Sequence, residues 1–159
     1  QYHELVSRFV RVKDLYDTIE FVPNNPVNEF NLIGNFGCET KKNTIYKAFL
    51  ELREYCPKID AYFRVYSISV DKKIPEFAGL GGGSSNAAAF LLLANKVFKL
   101  HYSKKKLAKI GARVGADVPF FIYEYDSANV RGIGEIVEEF DEESLSLDVI
   151  TPKIECNTG

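Results

Sequence analysis

The sequence predicts an α+β fold in one domain. Some segments repeat apolar residues at helical spacing, and others are short runs of strand-type residues bounded by turn residues. The chain has 159 residues, of which 46% are hydrophobic. A chain of this length and composition can bury a sizeable core without disulfides or metal ions.

The first half of the chain predicts three strands and one helix before a further strand. Strand-type residues fill 5–12 and 17–22, with Lys13-Asp14 as the turn between them, and a short strand is expected at 30–33. A helix is predicted over 44–55, capped by Asn43, because Ile45, Phe49 and Leu52 recur at helical spacing; Pro57 closes it. Residues 62–70 then predict a strand.

The second half predicts two helices, a buried strand and a hairpin. Residues 85–99 are apolar on most faces at first, which predicts a helix central to the core. Ser103 can cap the next helix. The apolar run 118–122 predicts a buried strand, and 128–140, interrupted at Gly132-Ile-Gly134, predicts a hairpin. The acidic run 138–143 is expected to be a solvated loop.

The most informative segment is a glycine-rich loop that runs into the predicted central helix. Four glycines fall within five residues, at positions 79 and 81–83, followed by Ser84-Ser85 and the apolar run 87–94. The first N–H groups of a helix have no intrahelical partners, and glycines let an anion approach the bare backbone. The loop therefore predicts a phosphate site. The alternative is a glycine-rich turn in which Ser84 or Ser85 merely caps a core helix.

Two common phosphate motifs do not fit this loop. A P-loop requires a Lys-Ser/Thr pair after its last glycine, and none follows Gly83; the dinucleotide pattern G-x-G-x-x-G fails at Ser84. The pattern Pro-x-x-x-Gly-Leu-Gly-Gly-Gly-Ser-Ser-x-Ala instead resembles the signature of the GHMP small-molecule kinases. The spelling Gly-Gly-Gly-Ser-Ser-Asn is most similar to the branch that acts on a cytidine-diphosphate-linked methylerythritol in non-mevalonate isoprenoid synthesis.

A second segment, Gly-Ala-Asp-Val-Pro at residues 115–119, is similar to the aspartate motif of the same family. A carboxylate beside a buried apolar run is costly unless it is paired, so such groups are often functional. The resemblance implies that Asp117 is the catalytic base or orienting group for the acceptor hydroxyl. Taken alone, the segment better suits an aspartate at a helix end or in an Asx-turn, and it is the neighbouring glycine loop that favours the catalytic role.

The resemblance implies the fold, the ligands and the remaining site residues. The fold would be the GHMP-kinase N-terminal domain, an antiparallel-rich mixed sheet with helices packed on one side. ATP and Mg²⁺ would be the cofactors, with Ser85 as a metal ligand, and Tyr2 and His3 would contact the cytidine of the acceptor. The implied nucleotide-binding residues are Asn43, Thr44, Pro75, Glu76, Phe77, Ala78, Gly79, Leu80, Gly81, Gly82, Gly83, Ser84 and Ser85.

The chain departs from the family pattern at both ends. The family carries a lysine upstream of its Tyr-His pair, whereas this sequence contains no lysine before Lys13. The family also continues into a second domain with another glycine-rich motif. We therefore expect residues 1–159 to be the N-terminal, ATP-binding domain without its first strand and without the C-terminal domain, and to have little or no activity alone.

Composition excludes some other partners. The net charge is −2, so no basic field attracts nucleic acid, and the longest apolar run is too short for a membrane span. Cys38, Cys56 and Cys156 lack metal-ligand spacing and are expected to be free thiols in the cytoplasm. The expected partner is thus a small cytidine-diphosphate-linked molecule, and the oligomeric state is left open.

Two alternative functions stay open from the sequence. One is another GHMP kinase of the homoserine or mevalonate type, against which the triple glycine and Tyr2-His3 argue. The other is a non-catalytic nucleotide- or RNA-binding module of the same fold, for which a glycine loop would be unnecessary.

Overall fold

The computed structural model describes residues 5–26, 29–141 and 146–150, and within these ranges the chain forms six strands and five α-helices. The strands are β1 (Leu5–Val10), β2 (Thr18–Pro23), β3 (Leu32–Ile33), β4 (Tyr66–Asp71), β5 (Ser127–Gly132) and β6 (Ile136–Glu139). The helices are α1 (Thr44–Arg53), α2 (Lys58–Tyr62), α3 (Gly82–Val97), α4 (Lys104–Gly111) and α5 (Val118–Tyr123). None of the helices in these ranges is both long and apolar enough to cross a membrane.

The strands form two three-stranded sheets. One is antiparallel, in the order β1–β5–β6, and the other is mixed, in the order β2–β4–β3, with β3 parallel to β4. Three of the four pairings in the described ranges are antiparallel, so the predicted α+β, antiparallel-rich architecture is confirmed. The neighbouring strands β1 and β2 do not pair with each other: Phe9 lies opposite Ala128, and Phe21 lies opposite Ile68.

The main core lies between the mixed sheet and the apolar faces of α1, α3 and α4. Phe90 and Leu91 of α3 are fully buried, which confirms the prediction that this helix is central. The ring of Phe21 on β2 packs edge-on against Phe63 at a centroid distance of 5.0 Å and lies 5.8 Å from Phe90. Burial of such side chains contributes roughly 1.5–3 kcal/mol each and fixes α3 against the sheet.

Both predicted helix caps are confirmed. The Asn43 Oδ1 atom accepts a hydrogen bond from the Ile45 N–H at 2.9 Å, at the start of α1. The Ser103 Oγ atom accepts from the Lys106 N–H at 3.2 Å, at the start of α4. Each bond satisfies one of the N–H groups that a helix start leaves without a partner.

The predicted strand at 118–122 is wrong, because this run is the helix α5. Pro119 lies in its first turn, where a missing N–H costs nothing and a fixed φ favours the helix. Val118 and Ile122 lie one turn apart on the side that packs against Gly111 of α4, where an added Cβ would lie 2.6 Å and 2.8 Å from them. A run buried on every side has no periodicity that separates strand from helix.

Several other boundaries also differ from the prediction, most of them by one to three residues. The strand expected from residue 62 begins at Tyr66, because Pro57 precedes a short helix, α2, that ends at Tyr62. The predicted hairpin is confirmed as β5 and β6, although Glu138 belongs to β6 rather than to a loop. The Glu138 carboxylate is exposed and pairs with Arg131. Residues 142 and 143 of the acidic run lie outside the described ranges.

Candidate functional site

The start of α3 has no side-chain cap. Its N-cap residue is Gly81, in the left-handed conformation with φ +68°, and no side chain bonds to the first turn from this position. The first helical hydrogen bond runs from the Ser85 N–H to the Gly81 carbonyl at 2.8 Å. The N–H groups of Gly82, Gly83 and Ser84 therefore have no intrahelical acceptor. Because Ser84 and Ser85 lie inside the helix, the alternative that one of them caps it is wrong.

Packing leaves little room for a side chain at the three adjacent glycines. At each of them an added Cβ would approach a side chain from a different part of the chain. The nearest atoms would be Phe121 Cζ at 2.9 Å from Gly81, Ile74 Cγ2 at 2.9 Å from Gly82, and Thr44 Oγ1 at 3.3 Å from Gly83. Gly79 differs, because it has φ +71° and nothing within 4 Å of its added Cβ. Only at Gly79, among these four, does the missing side chain leave open space.

Residues on the far side of the loop hold it in place. The Thr44 hydroxyl donates to the Gly83 carbonyl at 2.6 Å, so the first residue of α1 is tied to the first turn of α3. The Glu76 Oε2 atom accepts from the Gly37 N–H at 2.6 Å, which ties the start of the loop to the segment after β3. Phe77, with φ +56°, packs beside the same glycine and is half-exposed.

Asp117 lies at the start of α5, where it occupies the N-cap position without making a side-chain cap bond. Its carboxyl group is partly buried, and this loss of solvation raises its pKa above the ordinary value of 3.8. The glycine loop is close, because an added Cβ on Gly115 would lie 3.7 Å from the Ser84 Oγ atom. The two motifs singled out in the sequence therefore meet in the fold.

A cavity of about 660 Å³ joins the two motifs. Its lining includes five of the residues predicted for the site, Gly79, Leu80, Gly81, Ser85 and Asp117. The other predicted nucleotide-binding residues do not line it: these are Asn43, Thr44, Pro75, Glu76, Phe77, Ala78, Gly82, Gly83 and Ser84. They lie before, within or behind the loop. Tyr2 and His3 fall outside the described ranges.

The lining of the same cavity includes two cationic residues that the sequence analysis did not single out. Arg11 and Lys13 follow β1, and both contact the Asp126 carboxylate, at 3.1 Å and 2.7 Å. Lys13 and then Arg11 hold the pKa of that carboxyl below its ordinary value. Basic residues two positions apart in an extended segment point to the same side, so the spacing of Arg11 and Lys13 was the feature of the sequence from which this pair could have been predicted.

The donor set allows only limited metal binding by the protein. No group of three or more His, Cys, Asp and Glu side chains that could hold a metal ion is found in the described part of the chain. The Ser85 hydroxyl and the Asp117 carboxyl are oxygen donors on the same cavity. Mg²⁺ characteristically takes one or two protein oxygens and completes its shell with water and phosphate, so these residues fit such an ion.

Residues that flank an uncapped first helical turn, Gly81 and Ser85, and a desolvated carboxyl group, Asp117, therefore line one cavity, which is the class of site that holds an anionic group beside a proton acceptor. A family model described as GHMP kinases N terminal domain matches residues 43–125. This match covers α1, the glycine loop, α3 and the Asp117 segment. The chain belongs to the GHMP kinase family, as the motifs of the sequence predict.

Comparison with individual proteins gives a narrower set of relatives. The chain is 54% identical to 4-diphosphocytidyl-2-C-methyl-D-erythritol kinase of Sulfurimonas denitrificans, over 99% of the chain and 61% of that protein. It is 52% identical to the protein of the same name from a Sulfurovum species, over 99% of the chain and 62% of the relative. The chain thus spans about three fifths of the length of these curated relatives.

A solved structure is similar as well. The crystal structure of 4-(cytidine 5'-diphospho)-2C-methyl-D-erythritol kinase superposes with a TM-score of 0.68 and 32% sequence identity. The superposition covers 87% of this chain and 47% of that one. The agreement in fold extends well beyond the residues that the family model matches.

Proposed function

We propose that the protein carrying this chain is an ATP-dependent kinase that phosphorylates the 2-hydroxyl of 4-diphosphocytidyl-2-C-methyl-D-erythritol. The observation that carries the proposal is the shared cavity, which is lined by Gly81 and Ser85 at the start of α3 and by Asp117. The identity of 54% to a relative with this name supports the choice of acceptor. The same proposal assigns the reaction to non-mevalonate isoprenoid synthesis.

The phosphates of ATP lie, in this proposal, along residues 79–85. The free N–H groups at the start of α3 and the partial positive charge of the helix end neutralise phosphate charge as it shifts during transfer. The adenosine extends to the far side of the loop, toward Asn43, Thr44 and the residues 75–78. Asn43 keeps its capping bond to Ile45 there, because the cap uses only its Oδ1 atom.

Asp117 orients the acceptor hydroxyl and takes its proton. As the hydroxyl oxygen forms its bond to the γ-phosphorus, the bond from that phosphorus to the β–γ bridging oxygen breaks, and ADP leaves with the electron pair. Burial raises the pKa of the Asp117 carboxyl, which makes the carboxylate a stronger base than an exposed aspartate. Tyr2 and His3 are proposed to contact the cytidine of the acceptor.

The Ser85 hydroxyl would help to hold Mg²⁺, and the ion would supply positive charge that offsets the charge of the phosphates. Ser85 lies in the first turn of α3 and lines the cavity, so its hydroxyl is near the proposed phosphates. The described cysteines, Cys38 and Cys56, are free thiols, which supports a cytoplasmic location for the protein.

The test is an ADP-release assay on the complete gene product with three acceptors. With MgATP, turnover is expected with 4-diphosphocytidyl-2-C-methyl-D-erythritol and not with homoserine or mevalonate. Turnover with homoserine or mevalonate alone would keep the family and overturn the acceptor. A thermal-shift series adds MgATP, CTP and RNA separately; stabilisation by RNA alone would overturn the kinase proposal in favour of a binding module.

A further inference from the structure

Asp17, which precedes β2, is a buried carboxylate outside the residues assigned to the site so far. Its side chain is 1% exposed, and it pairs with Lys72, whose side chain is 11% exposed. The distance from the Lys72 Nζ atom to the Asp17 Oδ2 atom is 2.5 Å. A buried ion pair is costly to desolvate, so its presence needs a reason beyond stability.

The remaining hydrogen bonds of Asp17 go to both ends of the glycine loop. Its Oδ1 atom accepts from the Lys73 N–H at 2.7 Å and from the Ile74 N–H at 2.8 Å, directly before the loop. The side chain of Asn86, in the first turns of α3 and 5% exposed, also donates to it. One carboxylate thus contacts the residues that enter the loop and the helix that leaves it.

The same cluster lies against the glycines. An added Cβ on Gly82 would lie 3.5 Å from the Lys72 Nζ atom and 2.9 Å from the Ile74 side chain, so the groups that Asp17 holds form the surface beneath the first turn of α3. Any displacement of Lys72 or Ile74 would therefore move the N–H groups of that turn. Burial alone would raise the pKa of Asp17, but the hydrogen bonds from Lys72 and the two amides outweigh it, so the carboxylate stays charged.

We infer that Asp17 is a positioning residue that fixes the glycine loop and the start of α3 in the geometry that binds phosphate. This inference rests on the proposed function for its consequence in nucleotide affinity. Asp17 acts through Lys72 and through the backbone amides of Lys73 and Ile74, and it does not itself touch the nucleotide.

The test compares Asp17→Asn with Asp71→Asn in the complete gene product. Asp71 is the matched control, because it lies at the end of β4 beside Lys72 and pairs with Lys73 at 3.6 Å, with 67% of its side chain exposed. Amide hydrogen exchange and MgATP affinity are measured at a temperature where circular dichroism shows every variant fully folded.

In Asp17→Asn we expect the Ser85 N–H group, which bonds to the Gly81 carbonyl across the glycine loop, to exchange at least tenfold faster and the Kd for MgATP to rise at least tenfold. In Asp71→Asn both should match the wild type. A folded Asp17→Asn protein with wild-type exchange in the loop and wild-type Kd would overturn the inference, even if its melting temperature had fallen. If Asp17→Asn does not fold, the test uses Asn86→Ala, which removes one hydrogen-bond donor to Asp17. Unchanged loop exchange in Asn86→Ala would then overturn the inference.

The two measurements separate this inference from the proposed function. Hydrogen exchange requires no ligand, so faster loop exchange in Asp17→Asn supports the positioning role whether or not ATP binds. Wild-type protein that does not bind MgATP would overturn the proposed function alone. Wild-type loop exchange together with wild-type MgATP affinity in Asp17→Asn would overturn the positioning role alone.

Discussion

Replacing Gly81 with alanine should destabilise the fold much more than the same change at Gly79. Both glycines have positive φ, +68° and +71°, where an L-residue costs roughly 1–2 kcal/mol. Alanine also restricts the unfolded chain, which offsets about 0.4–1 kcal/mol of that cost. Gly79 has open space around the added Cβ, so Gly79→Ala should cost about 1 kcal/mol in the free energy of unfolding.

At Gly81 the new methyl group would also meet the Phe121 ring, at 2.9 Å from Cζ and 3.1 Å from Cε2. Overpacking of this kind typically adds about 1–3 kcal/mol. Gly81→Ala should therefore cost about 2–4 kcal/mol, and the difference between the two variants isolates the contact with Phe121.

Urea unfolding of the two variants, with Phe121→Leu alone and combined with Gly81→Ala, measures these energies. Leucine lacks the Cζ atom, so we expect a coupling energy of about 1–2 kcal/mol between positions 81 and 121. Equal losses for Gly79→Ala and Gly81→Ala, or no coupling to Phe121, would refute the reasoning. Either result would mean that contact with neighbouring side chains is not what excludes a side chain from the glycine positions.

Three further outcomes are expected. Asp117→Asn should lower turnover by roughly 10²–10⁴-fold with nearly unchanged ATP affinity. Because folding raises the pKa of Asp117, the stability of the wild type falls as pH rises above 3.8, so Asp117→Asn should be more stable than the wild type at pH 7 and lose this advantage at pH 3. An Asp117→Asn protein less stable than the wild type at pH 7 would contradict the desolvation of this carboxyl group. Folding lowers the pKa of Asp17, so its contribution to the free energy of unfolding is present above pH 3.8 and is lost as pH falls through the lower folded value. Urea titrations should show the stability difference between wild type and Asp17→Asn closing below about pH 4, and a stability difference that does not change with pH would contradict the ion pair. Asn43→Ala and Ser103→Ala each remove a helix cap and should each lower the free energy of unfolding by about 1 kcal/mol. Only Asn43→Ala should also weaken MgATP binding, and equal MgATP affinities of the two variants would mean that Asn43 only caps α1.

The helices α1, α3 and α4, and the caps of α1 and α4, were accessible to sequence reasoning because their signals are local. Asn43 and Ser103 precede periodic apolar residues, and the glycine loop precedes an apolar helix. Local signals also misled: the apolar run that begins at Val118 has no period, and the better indicator was Pro119, a residue well suited to the first turn of a helix.

The strand pairings and the contacts that support the site could not be predicted from local sequence signals. Phe9 meets Ala128 and Asp17 meets Lys72 across long stretches of chain, and neither contact leaves a pattern in its own neighbourhood. The two motifs of the site were found because each carries its own chemistry. That they share a cavity, and that Arg11 and Lys13 also line it, follows only from the fold.

The side chains behind the triple glycine have a consequence for catalysis. Phe121, Ile74 and Thr44 fill the space into which the loop would otherwise retreat, so its dipoles are preorganised before a charged ligand arrives. In the proposed phosphoryl transfer, little reorganisation energy is then needed when negative charge migrates between oxygens, and this saving lowers the free energy of the transition state.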